Sequence, residues 1–254
     1  MLINASVVRT EGMNLLTHAL EVLNDNNNPV GIREVACAAL VAGLEEGLVV
    51  PGGTPIAIWK WVRETTPKRW CAAQFRLGEV FDATVFTAAL EAVRDPSSGT
   101  ELRGVAIDVL AGSAYASLVT DEALADLVDR PHVEPERLSR LVQNVHRARR
   151  IPIELLQMIR DRWVSSTVVA TREAAVEIGS LVPKPEEDFW LKMAQDPSDD
   201  VRISVVSSVA KHCRHGFASK LVEGLLADEG VVDVRAELHR AMMTLLHREQ
   251  DGNG

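Results

Sequence analysis

Apolar residues recur along the chain with helical spacing, and one arginine marks where each apolar face begins. Arg202 is followed three, four and seven residues later by Val205, Val206 and Val209, the spacing of one face of an α-helix. Similar apolar faces follow Arg33, Arg69, Arg103, Arg137, Arg172 and Arg235. The separations between consecutive arginines are 36, 34, 34, 35, 30 and 33 residues. We call these seven residues the register arginines, and they predict a repeat of about 34 residues.

The faces that follow the register arginines are apolar at matching positions. The third residue after the arginine is Ala36, Ala72, Ala106, Ala175, Val205 or Leu238 in six repeats. The fourth is Cys37, Ala73, Ile107, Leu141, Val176 or Val206, again in six. The exceptions are Arg140 at the third position and His239 at the fourth.

Seven further apolar segments are candidates for the first helix of each hairpin. They do not all fall in matching places before the arginine-marked helices. The seven segments are LLTHALEVL, PIAIWKWV, TVFTAALEAV, EALADLV, IELLQMI, DFWLKMAQ and SKLVEGLLA. Turns such as RDPSSG and QDPSDD supply Pro, Gly, Asp and Ser, which stop and cap helices. The pattern predicts an all-α fold, an α-solenoid of about seven helical hairpins in a single domain over residues 1–250, with residues 251–254 as a disordered tail.

The stretch DPSDDVRISVVSSVA resembles the HEAT-repeat family, and DPSSGTELRGVAIDVLAG and EGVVDVRAELHRAMM are weaker copies. The family pattern places an acid near the turn and an arginine early in the second helix, as in Asp200 and Arg202, Asp233 and Arg235, and Glu101 and Arg103. The resemblance implies that such pairs form a ladder between adjacent repeats and that the hairpins build a right-handed superhelical arc.

The net charge, the cysteine content and the lack of long apolar runs limit the classes of protein to which the chain could belong. The formal net charge is −9 and the isoelectric point is about 5.3, which argues against a broadly basic nucleic-acid-binding surface. Cys37, Cys71 and Cys213 are widely spaced and odd in number, which favours a reducing compartment such as the cytoplasm. We expect no secretion signal, because the N-terminus MLINASVVRTEGMN lacks a basic region followed by a continuous apolar segment. We expect no membrane span, because no apolar run of about 18 residues occurs.

Positive charge concentrates in one repeat. Residues 137–162 contain seven arginines against Glu154 and Asp161, a net charge of +5. The helix is expected to bury Leu138, Leu141, Val142, Val145 and Ala148. Its arginines are therefore candidate partner-binding residues, together with one asparagine: Arg137, Arg140, Asn144, Arg147, Arg149 and Arg150. In HEAT-like proteins the second helices line the concave groove, where arginines would bind carboxylates or phosphates. The alternative is a solvated face whose arginines pair with acids such as Asp126, Asp129, Glu173 and Glu177.

Two further groups of residues give weaker evidence for a functional site. Trp59 and Trp61 lie two residues apart, so we expect one of them to be exposed, and Trp61 is a candidate interface residue, with core packing as the alternative. KHCRHG brings His212, Cys213 and His215 together, but the spacing matches no zinc motif and suits a helix C-terminus. The sequence contains no catalytic or phosphate-binding motif, so we predict no catalytic residue, no metal and no cofactor.

Two functions follow from these observations. The first is a non-enzymatic interaction module, an adaptor, scaffold or immunity-type neutralising protein, that binds an acidic protein partner in its groove. The alternative is nucleic-acid binding or base excision, because the alkylpurine DNA glycosylase family is also HEAT-like and holds DNA in a basic groove. The concentration of positive charge in one repeat counts against it, since a DNA-binding groove needs phosphate contacts along its length.

Overall fold

The computed structural model describes residues 5–64, 78–80, 82–183 and 187–250, with side chains described from residue 12 onward. These residues form thirteen α-helices and one short 3-10 helix, and no strand occurs among them, so the predicted all-α class is confirmed. Arg69, Cys71, Ala72, Ala73 and the predicted tail at 251–254 lie outside the described residues. No helix in the described ranges is long and apolar enough to cross a membrane.

The chain divides into two compact units, and we describe each by itself. Unit 1 comprises Met1–Thr120 and Arg130–Val133, and unit 2 comprises Asp121–Asp129 and Glu134–Gly254. The single domain over residues 1–250 stays a prediction.

The described part of unit 1 contains five α-helices that pack in chain order. Its helices are α1 (Ala5–Asn24), α2 (Val30–Glu45), α3 (Thr54–Glu64), α4 (Ala83–Arg94), α5 (Thr100–Leu110) and a 3-10 helix (Ala116–Leu118). α1 packs on α2, α3 packs on α1, α2 and α4, and α4 packs on α5. Asp82 begins α4, because its carboxylate accepts hydrogen bonds from the Thr84 and Val85 amides at 2.8 and 3.1 Å.

A close backbone approach joins α5 to the segment that precedes α4. A Cβ at Gly112 would lie 2.3 Å from the Gly78 backbone, so only glycine fits there. The Ala114 amide donates to the Gly78 carbonyl at 2.9 Å, and the buried Tyr115 hydroxyl donates to the Val80 carbonyl at 2.7 Å. These contacts fix the position of the 3-10 helix within unit 1.

Unit 2 contains four helical pairs whose second helices pack in series. Its helices are α6 (Asp121–Val128), α7 (Pro135–Arg149), α8 (Ile153–Val164), α9 (Val169–Gly179), α10 (Glu187–Met193), α11 (Asp199–His212), α12 (His215–Asp228) and α13 (Val232–Gln250). The second helices pack as α7 on α9, α9 on α11 and α11 on α13, and the first helices α6 and α8 also pack together. All seven segments predicted as first helices, three in unit 1 and four in unit 2, are helical.

The core of unit 2 combines aliphatic residues with aromatic ones, among them Trp163, Phe189 and Trp190. Trp190 is fully buried and packs edge-on against Phe189, with ring centroids 4.9 Å apart. A Cβ at Gly179 would lie 2.5 Å from the Phe189 ring, so the end of α9 accepts this ring because residue 179 has no side chain. The core continues through Val201, Val205, Val206 and Val209 of α11 to Val234 and Leu238 of α13.

Candidate functional site

The register arginines bond to the turn between the two helices of their own hairpin. In five of the six described repeats the guanidinium donates to a main-chain carbonyl 5 to 10 residues earlier: Arg33 to Leu23, Arg103 to Ser98, Arg172 to Ser166, Arg202 to Asp196 and Arg235 to Glu229. Carbonyls at a helix end lack partners within the helix, so these bonds satisfy acceptors that a turn would otherwise leave open. These five register arginines therefore have a structural role.

Two register arginines also bind an acid in the following turn. Arg172 donates to both carboxylate oxygens of Asp196 at 2.7 and 2.9 Å, and Arg202 donates to both oxygens of Glu229 at 2.9 and 3.3 Å. Arg33 reaches Glu64 in unit 1 at 3.1 Å. These ion pairs join consecutive hairpins, and planar guanidinium groups suit such bidentate contacts.

The turn acids hold low pKa values for a physical reason. Burial acts to raise the pKa of Asp196, but the bonds from Arg172 and from the Ser198 amide lower it overall. The bonds from Arg202 and from the Val231 amide lower the pKa of Glu229. Each acid also accepts from the amide two residues on, at 2.8 Å for Asp196 and 2.9 Å for Glu229, which closes the turn.

The acids in this ladder differ from those that the HEAT resemblance implies. Arg202 pairs with Asp199 and Glu229, at 2.7 and 2.9 Å, instead of Asp200 two residues earlier. Arg172, which has no acid two residues before it, forms the bidentate pair with Asp196. Asp196 and Glu229 lie in the turns that precede α11 and α13, and from there each reaches the register arginine of the preceding repeat.

Four of the candidate arginines on α7 have partners close to the helix. Arg137 donates to Glu134 at 2.6 Å, Arg149 to Asp121 of α6 at 2.6 Å, and Arg147 to the Asn144 side-chain oxygen at 3.0 Å. Arg150 ends α7 with a positive φ of 61°, and its guanidinium lies 3.4 Å from the His146 ring. Arg162 of α8 also pairs with Asp129. The sequence left open the alternative that these arginines pair with acids of adjacent repeats. Arg149 and Arg162 do pair in this way.

Arg140 lies in a groove whose other charged residues are acids. The groove has a volume of about 380 Å³ and lies between α7, α9 and α11. It is lined by Glu136, Arg140, Gln143, Glu173, Ala174, Glu177 and Ser204. We call it the carboxylate groove. The sequence led us to expect a basic groove here, and that expectation is wrong for this groove, because carboxylates of α7 and α9 outnumber the guanidinium three to one.

Hydrogen bonds across the carboxylate groove hold one of its acids in place. The buried Ser139 hydroxyl donates to Glu177 at 2.6 Å, and the Gln143 amide donates to the same oxygen at 3.1 Å. Both donors lie on α7, and Glu177 lies on α9, so the groove floor joins two consecutive hairpins. These residues are 34 and 38 positions apart, about one repeat, and the pairing follows from the packing of α7 on α9.

Glu173 is the electrostatically strained member of the groove. Partial burial raises its pKa first, and the carboxylates of Asp200, Glu136 and Glu177 raise it further. A shift in this direction means that the ionised form of Glu173 is destabilised by its surroundings. Three carboxylates against one guanidinium give the lining a formal net charge of −2.

A second groove continues the same face between α11 and α13. Its volume is about 520 Å³, and Ser204 lines both grooves. Hydroxyl and charged groups dominate its lining, among them Ser204, Ser207, Lys211, Glu237, Arg240 and Thr244. Arg240 pairs with Glu237, which leaves Lys211 as the remaining charged residue of the lining and a formal net charge of +1.

Trp61 does not present an interface. Its exposed fraction is 2%, and that of Trp59 is also 2%, so the expectation that one of them is exposed is wrong. α3 packs on α1, α2 and α4, which covers more than one side of the helix. The Arg33 guanidinium lies 4.6 Å from the centre of the Trp61 ring and places a register arginine over its face. Trp61 therefore belongs to the core of unit 1.

The histidines and cysteines do not assemble into a reactive centre within the described residues. No group of three His, Cys, Asp or Glu side chains there has the geometry to hold a metal ion. Burial raises the pKa of the Cys37 thiol to about 12 and that of Cys213 to about 11, so both stay protonated and weakly nucleophilic near neutral pH. His215 hydrogen-bonds the Leu245 carbonyl at 3.2 Å, which joins α12 to α13.

Sequence reasoning missed the acids of the carboxylate groove as a site. It considered Glu173 and Glu177 only as ion-pair partners of the arginines. A signal was present, since Glu173 and Glu177 are four residues apart on one helix face and Glu136 stands about one repeat before Glu173.

Comparison with known proteins gives no relative that carries a function. No family model matches the chain, and no curated protein does. One solved structure, described as an engineered protein, is similar over 91% of this chain and 68% of its own, with 14% identity and a TM-score of 0.41. Another engineered protein is similar over 92% of this chain and 98% of its own, with 15% identity and a TM-score of 0.34. Similarity at this level supports no conclusion about the fold or the function of this chain.

Proposed function

We propose that this chain is a HEAT-like α-solenoid of about seven hairpins, wound as a right-handed arc, that acts as a non-catalytic protein-interaction module. The serial packing of α7, α9, α11 and α13 supports the solenoid, because stacked second helices are typical of such folds. An adaptor, a scaffold and an immunity-type neutralising protein are all modules of this kind.

The carboxylate groove is the proposed binding surface, and its charge carries the proposal. Glu136, Glu173 and Glu177 face one guanidinium, Arg140, and Glu173 is destabilised in its ionised form. A lysine or arginine side chain of a partner would neutralise this repulsion. We therefore propose a basic segment of a protein partner, in place of the acidic partner expected from the sequence.

The same observations disfavour the nucleic-acid alternative. A phosphate backbone entering this groove would meet three carboxylates, and the net charge of −9 adds long-range repulsion. Arg147 and Arg150 remain exposed at the C-terminal end of α7, and they could contact acids at the edge of a partner whose basic residues occupy the groove. No observation favours base excision.

A peptide titration with charge-matched variants tests the proposal. The probes are a fluorescent arginine-rich decapeptide, a glutamate-rich decapeptide and a DNA duplex, each at low and at physiological salt. The groove variant is Glu136→Gln, Glu173→Gln, Glu177→Gln. The matched control, Glu46→Gln, Glu91→Gln, Glu223→Gln, removes the same charge at exposed positions outside the groove.

We expect the arginine-rich peptide to bind the unchanged protein and the control alike, and to bind the groove variant about tenfold more weakly. Equal weakening in the groove variant and the control would show that only net charge matters and would overturn the groove assignment. Binding of the glutamate-rich peptide or of the duplex, with a steep loss at higher salt, would favour the arginine surface of α7 instead.

A further inference from the structure

The groove between α11 and α13 contains one cation that forms no ion pair with any described carboxylate. Arg240 pairs with Glu237, and Lys211 is the remaining charged residue of the lining. Lys211 is exposed, and its ammonium donates to the Ser207 hydroxyl oxygen at 3.1 Å. We call this groove the hydroxyl groove, after the serine and threonine side chains that line it.

Two serine hydroxyls lie on the same face of α11 as Lys211. Ser204, Ser207 and Lys211 are spaced by three and then four residues, which places them in one row along the helix. Both serines are half-buried and line the hydroxyl groove. Ser207 accepts from Lys211, so its own O–H remains available as a donor, and the Ser204 hydroxyl bonds to no other described residue. The row therefore offers two hydroxyl donors and one ammonium, a set that suits a carboxylate.

The Lys211 ammonium lies within the groove instead of at the end of its helix. α11 ends at His212, but the lysine side chain reaches back one turn to Ser207. A carboxylate bound by Lys211 and Ser207 would therefore lie about one turn away from the last carbonyls of α11, whose partial negative charge opposes an anion. On the opposite wall, the Thr244 hydroxyl donates to the Arg240 carbonyl at 3.1 Å, so the available hydroxyl donors belong to α11.

The carboxylate groove and the hydroxyl groove are neighbours in unit 2 and have opposite charges. Ser204 lines both grooves. Lys211 lies seven residues beyond Ser204, about 10 Å along the helix at 1.5 Å per residue. An extended peptide covers that distance in about three residues. A segment that lies across both grooves therefore meets carboxylates first and an ammonium at least three residues later.

We propose that one extended segment of the protein partner occupies both grooves, with a basic side chain in the carboxylate groove and an acidic side chain at Lys211, Ser207 and Ser204. This inference rests on the proposed function, since the basic side chain is the one proposed for the carboxylate groove. Lys211 would act as a specificity-determining residue, because a polybasic segment would place a second cation against its ammonium.

A titration with composition-matched peptides tests this inference on the full chain. In the spaced peptide, four glycine or serine residues separate three arginines from one glutamate. In the adjacent peptide the glutamate directly follows the arginines, and in the neutral peptide glutamine replaces the glutamate of the spaced peptide. All three are fluorescent and of equal length. The protein variant is Lys211→Gln, and the matched control is Lys220→Gln, at an exposed lysine of α12 that lines neither groove.

We expect the unchanged protein and Lys220→Gln to bind the spaced peptide about fivefold more tightly than the adjacent peptide, the upper range for an exposed ion pair. The two peptides have the same net charge, so the position of the glutamate alone would cause this preference. Lys211→Gln should bind both alike. Equal binding of the two peptides to the unchanged protein, or a preference that persists in Lys211→Gln, would overturn the inference.

The neutral peptide distinguishes failure of this inference from failure of the proposed function. Suppose that it binds the unchanged protein and is weakened by Glu136→Gln, Glu173→Gln, Glu177→Gln, while the spaced peptide shows no preference over the adjacent one. Then only the assignment of the hydroxyl groove is wrong. If the neutral peptide does not bind, or binds this groove variant equally well, both assignments fail, because the segment takes its basic residue from the carboxylate groove.

Discussion

Two sets of acids in unit 2 lie close in sequence and have opposite electrostatic situations. The turn acids Asp196 and Glu229 each meet a register arginine and a main-chain amide, and their pKa values are lowered. Partial burial raises the pKa of Glu173 of the carboxylate groove, and the carboxylates of Asp200, Glu136 and Glu177 raise it further. The turn acids stabilise the fold, and the ionised form of Glu173 costs stability. Residues that reduce stability without a packing role are the ones that a binding function explains best.

The arginines show the same division. Arg202 fits the repeat, reaches the carbonyls of its own turn and binds the acid of the next turn, so its role is structural. Arg140 departs from the repeat, is exposed and lines the carboxylate groove. Agreement with the repeat therefore separates Arg202, which joins consecutive hairpins, from Arg140, which lines the carboxylate groove.

The largest expected effect is the loss of a register arginine. Arg202→Ala removes the contacts to Glu229, Asp199 and the Asp196 carbonyl, and leaves the carboxylate of Glu229, whose side chain is only 10% exposed, without its cation. We expect a loss of about 3 kcal/mol in the free energy of unfolding. Arg140→Ala, the matched change at an exposed arginine, should cost about 0.5 kcal/mol. Urea unfolding followed by circular dichroism measures both, and equal losses would contradict the division between the two arginines.

An intermediate effect is expected at the turn acid. Asp196→Asn keeps an oxygen that can accept from the Ser198 amide but removes the charge that binds Arg172. The expected loss is about 2 kcal/mol at pH 7, the range for hydrogen bonds to charged groups. Because the folded pKa of Asp196 is lowered, its contribution is present above the ordinary value of 3.8 and is lost as the pH falls through the folded pKa. A difference between the variant and the unchanged protein that is constant with pH would show that charge is not the cause.

The smallest expected effect has the opposite sign. Glu173→Gln removes the repelled charge from the groove and should raise the free energy of unfolding at pH 7 by about 0.5 kcal/mol. The folded pKa of Glu173 is raised, so ionisation costs stability as the pH rises above the ordinary value of 4.5. The advantage of the variant should therefore vanish below that value. A matched change at an exposed acid outside the groove, Glu223→Gln, should leave stability unchanged within error.

The sequence predicted the helices well because helical periodicity and turn composition are local signals. Every segment proposed as a first helix is helical, and so is the region around each described register arginine. It predicted the interactions between repeats less well. The partner of Arg172 is Asp196, 24 residues later, and the partner of Ser139 is Glu177, 38 residues later. Which side chains meet over such distances depends on how far neighbouring helices are shifted along their axes. The repeat length varies, so the sequence does not determine that shift.

The two expectations that failed have a common physical reason. Trp61 was expected at an interface because two tryptophans at that spacing point to different sides of a helix, but α3 is covered on more than one side. The groove beside Arg140 was expected to be basic because charge was counted along one helix, but α9 contributes its acids to the same groove. An estimate of charge or exposure made from one helix alone omits the side chains that neighbouring helices contribute to the same surface.

The most direct test of the account compares Asp196→Asn and Glu173→Gln in one series of unfolding measurements. The free energy of unfolding of each variant and of the unchanged protein is measured in urea from pH 7 down to pH 3.5. We predict opposite signs at pH 7, with Asp196→Asn less stable and Glu173→Gln more stable than the unchanged protein. The advantage of Glu173→Gln should disappear on acidification before the deficit of Asp196→Asn does. A loss of stability in both variants at pH 7 would show that the groove acids support the fold as the turn acids do, and would contradict their assignment to binding.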